Sequence, residues 1–197
     1  MSAVKIGVAG PVGSGKTSII EYLTNLMKAK YSIGIVTNDI YTMEDANYLK
    51  RKLDLHEERI IGVETGGCPH TAIRDDISMN KHACEALEMQ FHPDIIFVES
   101  GGDNLSATFS YELVDYYMYV IDVAQGGDIP RKKGAGLLFS DLLVVNKTDL
   151  APYVHVDMEQ MQADVSQNRK NKPYLFLTNT NDQTFQKLIS WIEALLD

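Results

Sequence analysis

The sequence predicts an α/β fold, a mainly parallel sheet with helices on both faces, and three observations predict it. Short apolar runs of strand length alternate with segments whose apolar residues recur at helical spacing. Run after run closes on polar residues, and the first run leads into a glycine-rich turn that opens a helix. With 197 residues, 45% of them hydrophobic, the chain is predicted to form one domain over residues 1–197 with a substantial core.

The first strand is Val4-Lys5-Ile6-Gly7-Val8-Ala9, and the eight residues after it, Gly10-Pro11-Val12-Gly13-Ser14-Gly15-Lys16-Thr17, match GxxxxGKT. Ile19, Leu23, Leu26 and Met27, at i, i+4, i+7 and i+8, supply the helix that this loop must open. Glycines let the backbone wrap closely so that its N–H groups face phosphate oxygens. Lys16 reaches the β- and γ-phosphates, and Thr17 offers a hydroxyl to Mg²⁺. Gly10, Gly13, Ser14, Gly15, Lys16, Thr17 and Ser18 are therefore the candidate phosphate-binding residues of a P-loop NTPase fold.

A second strand, 31–37, ends at Asn38-Asp39, and a helix covers Met43 to about Leu53. Arg59 to Val63 is a third strand running into Glu64-Thr65-Gly66-Gly67-Cys68-Pro69-His70. One long helix is expected from Thr71 to Glu88, with Ile73, Ile77, Cys84 and Leu87 on its apolar face, which makes Cys84 a core residue. Ile95-Ile96-Phe97-Val98 reads as a strand buried on both faces, ending in Glu99-Ser100-Gly101-Gly102. Two more strands end at Asp122 and at Asn146, and the stretch Gly126–Gly136 between them reads as a loop facing nucleotide or a partner. A helix at 157–167, a strand at 174–177 and a helix at 183–196 complete the alternation.

Asn146-Lys147-Thr148-Asp149 matches NKxD. Its aspartate can accept from both the ring N–H and the exocyclic amine of guanine, while the stem of Lys147 packs along the base. Adenine presents a different pattern and would leave those groups unpaired. Asn146, Lys147 and Asp149 therefore make GTP the expected nucleotide and the domain a GTP-binding one, with Thr178-Asn179-Thr180 as further candidates near the base. Asp39, Glu64 and Glu99, each at a strand end, are the acidic candidates near the phosphates. Asp39 leads for contacts to Mg²⁺ or water, and Lys16, Thr17, Asp39 and Glu99 form the candidate catalytic set for GTP hydrolysis.

A net charge of −9 gives no footprint for nucleic acid or an anionic membrane. The basic pair Arg169-Lys170 reads as solvated surface. No run approaches about 18 apolar residues and no charged segment precedes a signal core, so a cytoplasmic location is expected. His56, His82, His92 and His155 have no paired ligand at useful spacing and read as surface.

With these motifs in hand, the chain resembles the urease accessory UreG GTPases, nickel-delivering members of the dimeric P-loop class. The resemblance rests on GPVGSGKT at 10–17, TNDIYT at 37–42, ETGGCPHTAIRDD at 64–76, ESGGDNLSATFS at 99–110 and NKTDLAP at 146–152. It implies GTP binding and hydrolysis with Mg²⁺ near Thr17, Asp39 and Glu64, and a homodimer when GTP is bound. It also implies nickel carried by Cys68 and His70 between subunits, for delivery through other urease accessory proteins to apo-urease. One thiolate and one imidazole suit Ni(II), Zn(II) or copper. A twofold axis would raise two ligands to four, square-planar for nickel or tetrahedral for zinc, whereas alone the pair also reads as a buried cysteine beside a loop histidine. ESGG departs from the DxxG of signalling GTPases and no water-orienting glutamine is evident, so slow turnover without partners is expected. The alternatives are a hydrogenase nickel-insertion GTPase, a small-molecule P-loop kinase or ATPase without metal cargo, and a scaffold that binds GTP only to present an interface.

Overall fold

The computed structural model describes residues 2–196 except 40–42, 67, 68, 103, 104, 106 and 179–181. Seven strands, β1 (Val4–Ala9), β2 (Ile33–Asp39), β3 (Ile60–Glu64), β4 (Ile95–Glu99), β5 (Tyr116–Asp122), β6 (Leu142–Asn146) and β7 (Tyr174–Phe176), form one sheet in the order β3-β2-β4-β1-β5-β6-β7. Every neighbouring pair is parallel. The chain leaves β1 towards β2 on one side and returns after β4 to β5 on the other, so the topological switch point lies at β1 and β4. Open α/β sheets bind ligands beyond the strand ends at that point.

Strand alternation sorts the core into two layers. Ile6, Val8, Ile35, Phe97, Val120 and Val144 face the layer built by α1 (Lys16–Met27), α2 (Glu44–Lys52) and α8 (Asp182–Glu193), which contribute Ile19, Leu23, Leu49, Phe185 and Leu188. Val36, Val98, Tyr119, Ile121 and Val145 face the opposite layer. Its helices are α3 (Pro69–Arg74), α4 (Ser78–Phe91), α5 (Ile129–Lys132), α6 (Ala135–Phe139) and α7 (Met158–Arg169). Both faces of the sheet are thus covered, as the continuous apolar strands require.

Four expectations need correction. The single helix over 71–88 is two, α3 and α4, because Asp75 N and Asp76 N both close back on Thr71 O and the Asp76 carboxylate then accepts from Ser78 N (3.2 Å) and Ser78 Oγ (2.7 Å) where α4 starts. The stretch Gly126–Gly136 is not simply a loop, since it holds α5, with Pro130 in its first turn, and the start of α6. Leu26 points outward at 49% exposure, while Ile20 and Thr24 turn inward.

The fourth concerns Arg169, which is 2% exposed rather than surface. Its guanidinium donates to Leu137 O (2.8 Å), Ser140 Oγ (3.1 Å), Ser140 O (2.9 Å), Asp141 O (3.3 Å) and Pro173 O (2.9 Å). Burial pulls its pKa down to about 10, still charged at neutral pH. The planar fork ties the end of α7 to the turn before β6 and to the start of β7. Arg169→Ala strands those carbonyls in the interior and is expected to cost about 3 kcal/mol or more. Arg131→Ala, which breaks only the partly exposed pair with Asp164 (3.5 Å), should cost about 1 kcal/mol or less. Urea denaturation of the two variants measures the contrast, and equal midpoints would remove Arg169 as the tie.

Candidate nucleotide and metal site

The loop after β1 turns on glycine. Gly10 has φ +148° and a Cβ there would collide with Val120 O, while Gly13 (φ +79°) and Gly15 (φ +95°) also hold left-handed backbone that side chains rarely adopt. Gly15 precedes α1, so the unpaired amides at the start of that helix look into the loop. Lys16 is largely buried and its Nζ donates to Pro11 O (3.2 Å). A cavity of about 480 Å³ lies here, lined by residues that include Gly13, Gly15, Lys16, Thr17, Ser18, Asp39, Glu99 and Lys147.

Thr17 is the centre of the acidic wall. Its hydroxyl bonds to Glu99 Oε1 (2.7 Å) and stands 3.3 Å from Asp45 Oδ1. Glu99 reaches it because β4 lies between β1 and β2, with Glu99 in register with Val8 on one side and Thr37 on the other. Asp45 comes from the first turn of α2. Asp39 lines the same cavity from the end of β2. Glu64 stands opposite Asp39 at the end of β3, exposed and outside the residues that line the cavity, whereas Asp45 lines it.

Burial pushes the Glu99 carboxyl up to about 7, with Asp45 and Asp39 pushing the same way and Lys16 and Thr17 opposing. Asp45 is raised as well, by burial first. A carboxyl raised above its ordinary 4.5 stabilises the fold below that value, and the contribution is lost as pH rises through about 7. The metal- and nucleotide-free protein is therefore expected to lose thermal stability between about pH 5 and pH 8, and Glu99→Gln to flatten that decline. An unchanged slope in the variant would assign the effect elsewhere.

The oxygen-rich wall fits Mg²⁺. Glu99 Oε2 is buried without a hydrogen-bond partner among the described residues, and hydroxyl and carboxylate oxygens are the donors a hard cation takes. Among the described residues no three His, Cys, Asp or Glu side chains converge as a cage. Mg²⁺ uses one or two carboxylates and completes its shell with phosphate and water oxygens.

The NKxD loop is joined to the P-loop. Asn146 Nδ2 donates to Ser14 O (3.0 Å), and Lys147, at φ +57°, donates from Nζ to Gly13 O and pairs with Asp122 Oδ2 (3.3 Å). Asp122 also caps the turn Val123–Gln125 through Ala124 N (2.7 Å), and Gln125 bonds back to it. Asp149 is exposed, its Oδ1 held by Thr178 Oγ1 (2.9 Å); Asn179 and Thr180 lie outside the described residues.

Sequence reasoning missed Asp45 and Asp122. An acid in the first turn of a helix reads as a dipole partner, and one at a strand end as a turn former. Only the third dimension turns Asp45 towards Thr17 and Asp122 towards Lys147. His70 lies half-buried in the first turn of α3, and Cys68 lies outside the described residues. Cys84 is core, and its thiol is pushed up to about 12 by burial. His56, His82, His92 and His155 are exposed, as expected.

Residues 4–176 match the family described as CobW/HypB/UreG, nucleotide-binding domain. The chain is 76% identical to the urease accessory protein UreG of Aliarcobacter butzleri (strain RM4018) over 194 residues, 98% of this chain and 100% of that one. It is 57% identical to the urease accessory protein UreG of Lysinibacillus sphaericus (strain C3-41), covering 98% of this chain and 93% of that one. Among solved structures, the fold is similar to hydrogenase maturation factor HypB from Archaeoglobus fulgidus (TM-score 0.79, 24% identity, 100% and 91% of the two chains). It is also similar to HypB from Helicobacter pylori in complex with nickel (TM-score 0.81, 19% identity, 99% and 87%). Matched along nearly its full length and sharing the fold, the chain belongs to the CobW/HypB/UreG family of nucleotide-binding proteins and, within it, to the urease accessory UreG proteins.

Proposed function

We propose that this chain is a GTP-switched nickel carrier for urease assembly, a single G domain over residues 1–197. It binds and slowly hydrolyses GTP with Mg²⁺, pairs with a second copy when GTP is bound, and holds Ni(II) at Cys68 and His70 of both copies. Other urease accessory proteins and apo-urease are the partners that receive the metal, in the cytoplasm; Zn(II) fits the same ligands. Among the described residues no helix is long and apolar enough to cross a membrane.

The observation that carries the reading is the contact between the two strand ends. Thr65 N (2.9 Å) and Thr65 Oγ1 (3.2 Å) both donate to Asp39 O, and the Cys-Pro-His stretch begins three residues further on. A change at Asp39 thus has a short path to the metal ligands.

Within the cavity, Lys16 neutralises phosphate charge, the α1 amides and loop amides orient the phosphates, and Lys147 and Asp149 read guanine. Thr17 and one or two of the carboxylates Glu99, Asp45 and Asp39 would hold Mg²⁺, which would supply positive charge to offset that of the phosphates.

Gel filtration with nickel and a nonhydrolysable GTP analogue tests the reading: a dimer carrying about one Ni(II) per pair is expected, and a monomer binding no more nickel than the GDP form rejects it. Cys68→Ala should abolish nickel binding and leave GTP affinity within about twofold.

A further inference from the structure

Two asparagines are buried where apolar residues would be expected. Asn38 precedes Asp39 at the end of β2, and Asn80 sits on the inner face of α4 with Ala83, Cys84 and Leu87; both are 0% exposed. Asn38 Nδ2 donates to Asn80 Oδ1 (2.9 Å) and to Glu99 O (2.9 Å). Asn80 Nδ2 returns a bond to Asn38 Oδ1 (2.8 Å) and donates to Ala72 O (2.9 Å).

The outer partners fix the arrangement. Backbone carbonyls only accept, so each amide must point its NH₂ at Glu99 O or Ala72 O, and the remaining hydrogen of each goes to the other's oxygen. Flipping either side chain would set oxygen against oxygen. Ala72 O belongs to the last turn of α3, where carbonyls have no partner within the helix, and Asn80 supplies the donor. The unit therefore has one low-energy geometry, and it joins three things. These are the end of β2 beside Asp39, the end of β4 at Glu99, and α3, whose first turn carries His70.

We infer that Asn38 and Asn80 form a positioning link that sets α3, and with it His70, by the placement of the strand ends that carry Asp39 and Glu99. The inference rests on the function proposed above and names the residues through which that switch acts. A packed hydrogen-bonded unit of this kind moves as a body or breaks, so a shift of the β2 and β4 ends reaches Ala72 undiminished. Glu99 takes part twice, through its carboxylate to Thr17 and through its carbonyl to Asn38. Neither asparagine is a catalytic residue, and Asn80 does not line the cavity.

Hydrogen–deuterium exchange on the intact protein, loaded with GDP or with a nonhydrolysable GTP analogue, tests this directly. In the unsubstituted protein, amides of residues 72–76 should exchange at rates that differ several-fold between the two nucleotides. In Asn80→Ala they should exchange fast in both, while GTP and GDP affinities stay within about twofold. The nickel affinity ratio between the two states, about 5- to 150-fold for a typical coupling, should fall towards one in the variant. A variant whose 72–76 segment still responds as in the unsubstituted protein overturns the link, as does an unsubstituted protein in which that segment ignores the nucleotide. If the segment responds and is silenced by Asn80→Ala, yet nickel binding never depends on nucleotide, the link stands and the proposed function fails. Should Asn80→Ala not fold, Asn80→Ser, whose shorter side chain has one donor hydrogen in place of the two that Asn80 uses, is read in the same way.

Discussion

Asp149→Asn is expected to turn the site from guanine to xanthine nucleotides. The carboxylate accepts from two donors on guanine. An amide offers one acceptor and one donor, so one guanine N–H faces another N–H, whereas xanthine presents a carbonyl at that place and is matched. GTP affinity should fall at least about a hundredfold and XTP affinity rise, because a site built around particular hydrogen bonds rejects the ligand that leaves them unmade. The side chain is held by Thr178, so the variant has a fixed place from which to act. Competition binding with GTP, XTP and ATP reads the result; unchanged preference would show that the 146–149 loop does not read the base.

Lys16→Ala is expected to reduce GTP turnover by about a hundredfold to a thousandfold, the loss that follows removal of one preorganised charge from a transition state. A second effect comes with it. Lys16 is the group that chiefly opposes the rise of the Glu99 and Asp45 carboxyls. Without it both hold their protons to higher pH. The decline in stability of the nucleotide-free protein should then move above the window set by about 7, in contrast to its flattening in Glu99→Gln. Single-turnover hydrolysis and thermal melts across pH separate the two effects, and full retained turnover would remove Lys16 from the chemistry.

Much of this architecture is legible in the chain because parallel strands buried on both faces leave an unbroken apolar signal, as in Ile95 to Val98, and because the P-loop needs glycine at particular places. The helices that the periodicity misplaces share a cause. Thr71 to Glu88 keeps an apolar stripe through Ile73, Ile77 and Leu87, and the stripe continues across the break at Asp75 and Asp76 because α3 and α4 pack on the same face of the sheet. Leu26 follows the helical period yet lies at the margin of the buried stripe. Arg169 defeats local reading altogether. All but one of its partners, the Ser140 hydroxyl, are backbone carbonyls, which carry no residue-type signal, and they lie 4 to 32 residues away. Asn80 was the one readable omission, a polar residue three positions after Ile77 on an otherwise apolar stripe.

The hydrogen bonds from Asn146 and Lys147 to the P-loop span 132 and 134 residues of chain. Both neighbours of β1 also come late, β4 beginning at residue 95 and β5 at residue 116. β1 is therefore made before the two strands that flank it, and contacts of such high sequence separation close slowly. A nascent chain stopped before β6 carries every residue of GPVGSGKT but lacks the two side chains that brace Ser14 and Gly13. The bracing of Gly13 and Ser14 thus reports on completed folding: it forms only when Asn146 and Lys147 have docked beside them.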